Sequence, residues 1–596
     1  MKRISLLVFF LIINIVTIHA AKAFNVPITI TQPDGKELTV INHGDEDLHW
    51  YTTTDGVILY HSGSYFYIAA IDDNGNMTST SQLAHESGQR NATEQALIAL
   101  QNKNKFYSSV KTTSLKAAMR REPLNTTSSP SYFPHTGSPK AVVILVNFAD
   151  TTFYLSNPKT VFDEFLNGEA YNGHIEYTNY GSVRQYFKDM SFGNFTPQFD
   201  IYGPYTLSKN MAYYGANQGK TEDVNFESII SDACTLADTD VNFANYDADG
   251  DGYVDLVYII YAGYGESNGG SSNTIWPKSG AYDSGTYDGK KVSRYGLNNE
   301  LNMYPAFYTK KNINPKINGI GLFCHEFSHT LGMPDIYPTD TLAYVNNQEM
   351  EYWDLMDGGE YVNRGYCPAP YTAWERETLG WYKLDTLSVS KKNIVISPVS
   401  DGGKAYRFLN DQNNNEYMIL EDIQNTGWSY NLPGHGLLVY HVKWPRTTVS
   451  MYDHPNNVAG KPGMAIVPAD GQLLSSYLTT SLSQYLKAQG GDVFPGTSNI
   501  TALNDTMNLP NFVWYNSDST TRKVNLALNN ITEDTSIGIT FDYIDDFATG
   551  IKDITSFSEN HDDDRIYTID GRYAGRDKET LSKGIYIKNK KKFIIK

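Results

Sequence analysis

Cysteine is scarce in this chain: three residues among 596, at Cys234, Cys324 and Cys367. At most one bridge can form within the chain, so disulfides are not what holds the fold together. Cations are also in short supply, 48 Lys and Arg against 66 Asp and Glu, for a net charge of −18. A surface of that sign repels phosphate backbones, which argues against nucleic acid as a partner. After the first few residues no apolar run approaches the ~20 residues that cross a bilayer, so no integral membrane span is expected in the processed chain. What remains is rich in core-forming residues, 40% apolar and 13% aromatic. At ~150 residues per domain, a chain of this length divides into three or four domains.

The N-terminus reads "MKRISLLVFFLIINIVTIHAAKAF". Two cations precede an apolar run from Ile4 to about Ile18, and "AKA" (Ala21 to Ala23) offers a cleavage site, so residues 1–23 read as a signal peptide. The expected location is secreted or on a bacterial cell surface. Residues 24–107 alternate β-like runs ("VPITI", "YFYIAAIDDNGNMTS") with turn signals and end in a helix-like "EQALIALQNKNKF", as a small domain would. Residues 108–139 shift to Ser, Thr, Pro and Lys, with a basic pair at Arg120 and Arg121, and read as an exposed processing linker. At "KAVVILVNFAD" a β-branched run begins that suits a strand buried on both faces. It opens a mixed domain over 140–384, with a second buried run, "VDLVYIIYAGYGE", a helical "SVRQYFKDMS", and a helix framed by Pro370 and Gly380. Residues 385–545 turn to short strands and Gly/Asn turns, a β-sandwich pattern. The tail, 546–596, ends in a basic strand-turn-strand. The fold class expected is therefore α+β with a C-terminal all-β domain.

Of the 13 histidines, His325 and His329 alone stand at i, i+4, within "CHEFSHTLGMPD". On a helix that spacing places both rings on one face, where they can hold a single Zn²⁺. Glu326 lies beside the first ligand, positioned to take a proton from a metal-activated water. Gly332 follows three residues after His329, where a helix ends best in a left-handed residue, and Pro334 prevents its resumption. A turn there can return Asp335 to the metal as a third, oxygen ligand, with Glu351 or Glu360 as the alternatives. Cys324 reads as a buried structural cysteine or as half of a bridge to Cys367 rather than as a ligand.

The resulting string, HExxHxxGxxD, resembles that of the metzincin metallopeptidases with Asp in place of their usual third His. With "YWDLMDGGEY" (Tyr352 to Tyr361), "YDADGDGYVDLVYIIYAGYGE", "TQPDGKELTVINHGDEDLHWYTTTDG" and "ILEDIQNTGWSYNLPGHGLLVYHV", it resembles the immune inhibitor A family of secreted bacterial metallopeptidases over roughly residues 27–543. The resemblance implies a metzincin-like zinc peptidase catalytic domain, an N-terminal propeptide domain, and a β-rich domain after the catalytic one. It also implies a Met-turn with Met356 under the zinc, protein or peptide substrates, and synthesis as a zymogen. The sequence departs from the family at Lys443, where members often carry an acid.

"DADGDGYVD" places Asp247, Asp249, Asp251 and Asp255 at positions 1, 3, 5 and 9 of an EF-hand-like loop, with the Tyr253 carbonyl at position 7. Position 12 is Tyr258, and an apolar strand pattern follows in place of a helix. We therefore expect a structural Ca²⁺ loop feeding a strand, the alternative being a solvated acidic turn. Residues 1–139 contain no cysteine, which excludes a cysteine switch. A propeptide ligand to zinc would then come from His43, Asp45, Glu46, Asp47 or His49, of which Asp45 is the candidate, unless this stretch is only a surface turn. Tyr361 is a candidate for steadying an oxyanion. The tail resembles the sorting tails of proteins exported by Bacteroidetes, which would attach the chain to the cell surface or engage secretion machinery; a plain terminal hairpin is the other reading. The rival to a peptidase is a calcium-dependent extracellular binding protein with a vestigial zinc site.

Overall fold

The computed structural model describes residues 17–19 (backbone), 21–45, 48–110, 131–174, 179–218, 222–340, 343, 347–444, 449–476, 481–534, 536–545, 566–569, 573–575, 577–588 and 591–595. Most of the expected leader and the Arg120–Arg121 pair lie outside them. The chain divides into two units, Met1–Asp545 and Asp546–Lys596.

At the centre of the first unit is a six-stranded sheet. Four consecutive strands, Arg294–Leu301, Val257–Tyr264, Lys140–Asn147 and the edge strand Gln198–Thr206, run parallel. The two apolar runs read from the sequence are adjacent here, Val257 opposite Val142 and Tyr261 opposite Val146. Both are buried almost throughout, as strands covered on two faces must be. The short strand Lys278–Ala281 joins antiparallel to Arg294–Leu301, and backbone residues Thr17–His19 pair antiparallel on its outer side.

Helix Val183–Met190 forms where "SVRQYFKDMS" predicts it, its Ser182 hydroxyl accepting the Gln185 amide. The helix expected from Pro370 starts later, at Ala373, because Thr372 and Glu375 form a reciprocal capping box that fixes the first turn. Gly380 has φ +75° and stops the helix as expected.

The N-terminal residues form a six-stranded antiparallel meander over 28–83, capped by helix Ala92–Ala99. Residues 385–545 contain a five-stranded and a four-stranded sheet that share one apolar cluster, including Ile394, Phe408, Leu420, Val439 and Phe541. All three cysteines are buried and free, so Cys324 and Cys367 are not bridged. In the second unit Gly584–Lys588 and Lys591–Ile595 pair as an antiparallel hairpin within a four-stranded sheet. Among the described residues no helix is long and apolar enough to cross a membrane.

The N-terminal meander carries two histidines whose burial holds them neutral, His43 down to about 4 and His61 down to about 3. The unfolded chain binds those protons near pH 6.5, so the stability they contribute is complete above that pH and is lost as the pH falls towards 4 and then 3. His61→Phe, which keeps the stack on Phe66, is expected to move acid unfolding of residues 21–110 to lower pH, followed by limited proteolysis across a pH series.

Candidate metal centre

Every residue of helix Ile320–Thr330 is buried. Its apolar flank, Phe323 and Phe327, packs on Phe187, Phe195 and Phe199, and its polar flank carries His325, Glu326 and His329. Near its N-terminus the helix lies directly on the loop 358–365: a Cβ on Gly321 would stand 2.0 Å from the Glu360 carbonyl oxygen. Only glycine permits that approach. At the other end the Met333 amide returns to the Ser328 carbonyl, and Gly332 adopts φ +100°. That left-handed residue turns the chain so that Asp335 comes back beside the two rings.

The structure brings His325, His329 and Asp335 together, all three buried, with one ligand atom of each within 4.8 Å of the others. His325 Nε2 and His329 Nε2 both lie 3.3 Å from Asp335 Oδ1. Their Nδ1 atoms donate to backbone carbonyls, His325 to Leu355 at 2.9 Å and His329 to Met333 at 2.7 Å. Each ring is thereby fixed in the tautomer whose Nε2 lone pair faces the centre. Burial lowers the His325 pKa, which keeps that lone pair available. Around a tetrahedral zinc with ligands at ~2.05 Å, neighbouring donor atoms stand ~3.3 Å apart, so the donor set fits zinc in both chemistry and spacing.

Met356 sits in the loop that anchors this arrangement. Its amide is held by Asp354 Oδ1, its carbonyl accepts the Ile336 amide, and its neighbour Leu355 fixes His325. Of the other ligand candidates, Glu360 Oε2 lies 3.9 Å from His325 Nδ1, on the side away from the donor trio, and burial raises its pKa well above the carboxylate range. Glu351 is turned to Lys22.

Glu326 Oε1 accepts the backbone amide of Ala21 at 2.7 Å, a contact across 305 residues. The Trp276 indole donates to the Ala21 carbonyl at 2.9 Å and the Tyr361 hydroxyl to the Lys22 carbonyl at 2.6 Å. The Lys22 ammonium reaches Asp357 at 3.1 Å and Glu351 at 3.4 Å. Residues 21–24 thus lie across the site, a placement the sequence reading missed. The one signal for it was the density of acids among Trp, Met and Tyr in 349–361, too many to bury without a cation.

Asp45 is buried at the turn after strand Glu37–Gly44, where its Oδ1 accepts the Leu48 amide, and it is not one of the donor trio. Gly44, beside it, accepts the Ala23 amide. His43 bonds Thr52, and His49 lies between Glu266 at 3.0 Å and Glu222 at 3.5 Å. Glu46 and Asp47 lie outside the described residues.

In the aspartate loop, carboxylate oxygens of Asp247, Asp249 and Asp255 converge. Asp251 instead accepts the amides of Ser131 and Tyr253, and Tyr253 begins a two-residue strand. The Lys290 ammonium stands 2.5 Å from Asp247 and holds that carboxyl below its usual range. Burial and then the neighbouring aspartates raise Asp255 to about 6. A strand does follow the loop, as the sequence pattern requires. Lys443 lies 3.8 Å over the Tyr515 ring, a cation–π contact.

Residues 135–383 match the family described as immune inhibitor A peptidase M6, catalytic domain. The chain is 28% identical over 242 residues to the pre-pro-metalloprotease PrtV of Vibrio cholerae serotype O1, which covers 36% of this chain and 26% of that protein. It is 27% identical over 311 residues to immune inhibitor A of Bacillus thuringiensis subsp. alesti, 43% of this chain and 42% of that one. The chain therefore spans about a quarter to two fifths of the length of these relatives.

Gly332→Ala forces a Cβ into the left-handed region and to 3.2 Å from the Tyr132 ring. A loss of ~1–2 kcal/mol in stability is expected, together with weaker zinc retention, read by thermal melts and metal analysis of the same sample.

Proposed function

We propose, from the membership of residues 135–383 in the immune inhibitor A peptidase M6 family, that the protein is a zinc-dependent endopeptidase, exported and made as a zymogen. The observation that carries this reading is Glu326 beside a donor trio whose two rings are held in the metal-binding tautomer. His325, His329 and Asp335 would hold zinc. When bound there, zinc supplies a Lewis acid for a peptide carbonyl and lowers the pKa of water. Glu326 takes the proton of the attacking water and delivers it to the departing amine. The Ala21 amide on Glu326 marks where a substrate amide would lie. Tyr361, whose hydroxyl already meets a backbone carbonyl there, is the side chain placed to steady developing oxygen charge. Met356 and the metzincin-like turn around it act by positioning His325.

Residues 21–24 cover Glu326 in this structure, which supports latency of the chain for as long as cleavage at Ala21 to Ala23 has not removed Ala21 and Lys22. Asp45, one residue beyond the Gly44 carbonyl that holds Ala23, would act by fixing this segment rather than as a zinc ligand. The N-terminal meander is then the propeptide domain, the paired sheets of 385–545 a β-sandwich accessory domain, and the terminal hairpin unit a surface-attachment or secretion element. Asp247, Asp249, Asp251, Asp255 and the Tyr253 carbonyl are proposed as a calcium loop, with Lys290 as its competitor.

The decisive experiment compares the secreted protein with Glu326→Ala in calcium buffer. The variant is expected to retain about one zinc per chain while casein cleavage falls by at least ~10². If neither protein holds zinc, or neither cleaves after removal of residues 1–139, the calcium-dependent binding protein is the better reading. Lys290→Gln removes the ammonium on Asp247, so terbium or calcium should bind the loop more tightly, measured by luminescence or calorimetry; unchanged affinity would remove Lys290 as competitor, and no binding to either protein would remove the calcium assignment.

A further inference from the structure

Glu349, Glu351 and Asp357 are all fully buried within one short stretch of chain. Three carboxylates so placed repel one another and cannot all be charged without a cation. Their cation here is Lys22, itself only 2% exposed, with Nζ 3.1 Å from Asp357 and 3.4 Å from Glu351 and 5.9 Å over the Tyr337 ring. The carboxylates are preset by the protein's own frame: Glu351 accepts the Ser476 amide and Asp357 accepts the Glu351 amide. Among the described residues neither oxygen of Glu349 meets a hydrogen-bond donor of another residue, although the carboxylate is buried and close enough to act on the Lys22 charge. The pocket therefore has acceptor capacity beyond what Lys22 uses.

The segment that delivers Lys22 is held as an extended substrate would be. Thr17–His19 add antiparallel to the outer side of strand Lys278–Ala281, His19 opposite Ser279. Two residues on, the Ala21 amide meets Glu326, and its carbonyl and that of Lys22 are held by Trp276 and Tyr361. Backbone contacts of this kind accept any sequence, and side-chain pockets provide the selection. Tyr337 links the pocket to the metal site, its ring under the Lys22 ammonium and stacked 6.4 Å from His325.

We propose that Glu349, Glu351 and Asp357 form a substrate subsite that selects a lysine or arginine side chain beside the scissile bond, and that Lys22 occupies it as a substrate mimic until cleavage at Ala21 to Ala23 removes it. The proposal rests on the peptidase reading and adds to it the class of peptide cleaved. A pocket that merely anchored the N-terminal segment would confer no preference on substrates.

The test uses the full chain after its own maturation, digesting a mixed peptide library whose cut sites are sequenced. A basic residue is expected at one fixed position next to the cut. Matched peptides carrying Lys or Gln there should differ at least tenfold in kcat/KM. Glu351→Gln should bring that ratio below threefold while zinc content and cleavage of the Gln peptide are retained. Glu349→Gln, which breaks no hydrogen bond to another described residue, should narrow the ratio in the same direction if Glu351→Gln fails to fold. Cleavage without basic enrichment, or a preference that survives the substitution in a folded variant, overturns the subsite and leaves the peptidase intact. A chain that cleaves no peptide overturns both.

Discussion

Much of the structure follows from bringing a carboxylate back beside two imidazoles on a helix that has no exposed residue. Groups of this kind are costly to bury unless each polar atom has a partner or a metal. Both Nδ1 atoms are met by carbonyls from two separate loops, one carrying Leu355 and the other Met333. The loops must therefore be held to the helix within hydrogen-bonding tolerance. Gly321 meets that demand by letting the Glu360 backbone rest on the helix, and Gly332 by turning the chain back at once. The surrounding phenylalanines give the helix a rigid seat, since a packed aromatic flank leaves it little freedom to shift.

What could be read from the sequence was local. The two apolar runs announced themselves as inner strands because burial on both faces leaves no alternation to mask them. The spacing of His325, His329, Gly332 and Asp335 encodes a helix, its end and a return, all within eleven residues, and the geometry follows that order. The aspartate loop was legible as a turn before a strand, but Lys290 was not, because it arrives from a neighbouring strand through a sheet contact. The start of the helix at Ala373 was misplaced at Pro370 because a capping box outweighs a proline when the two compete to set the first turn.

The occupation of the site by Ala21 and Lys22 lay beyond any local pattern. It joins residues more than 300 positions apart, and its cause is shared between a strand edge, an indole, a phenol and three acids from separate segments. The acids in 349–361 are interior. Charge density next to aromatic residues is the trace such a pocket leaves in a sequence, and it acquires meaning only once burial is known.

The strand Lys278–Ala281 is short, and among the described residues its partner on the outer side is Thr17–His19. Once that segment departs, a row of backbone donors and acceptors is left seeking an extended partner. A helix or a paired strand in a folded protein has already committed its own backbone groups and cannot answer. Whatever docks there must first be locally unravelled, so the mechanical looseness of a target, as much as its chemistry, decides whether it is reached.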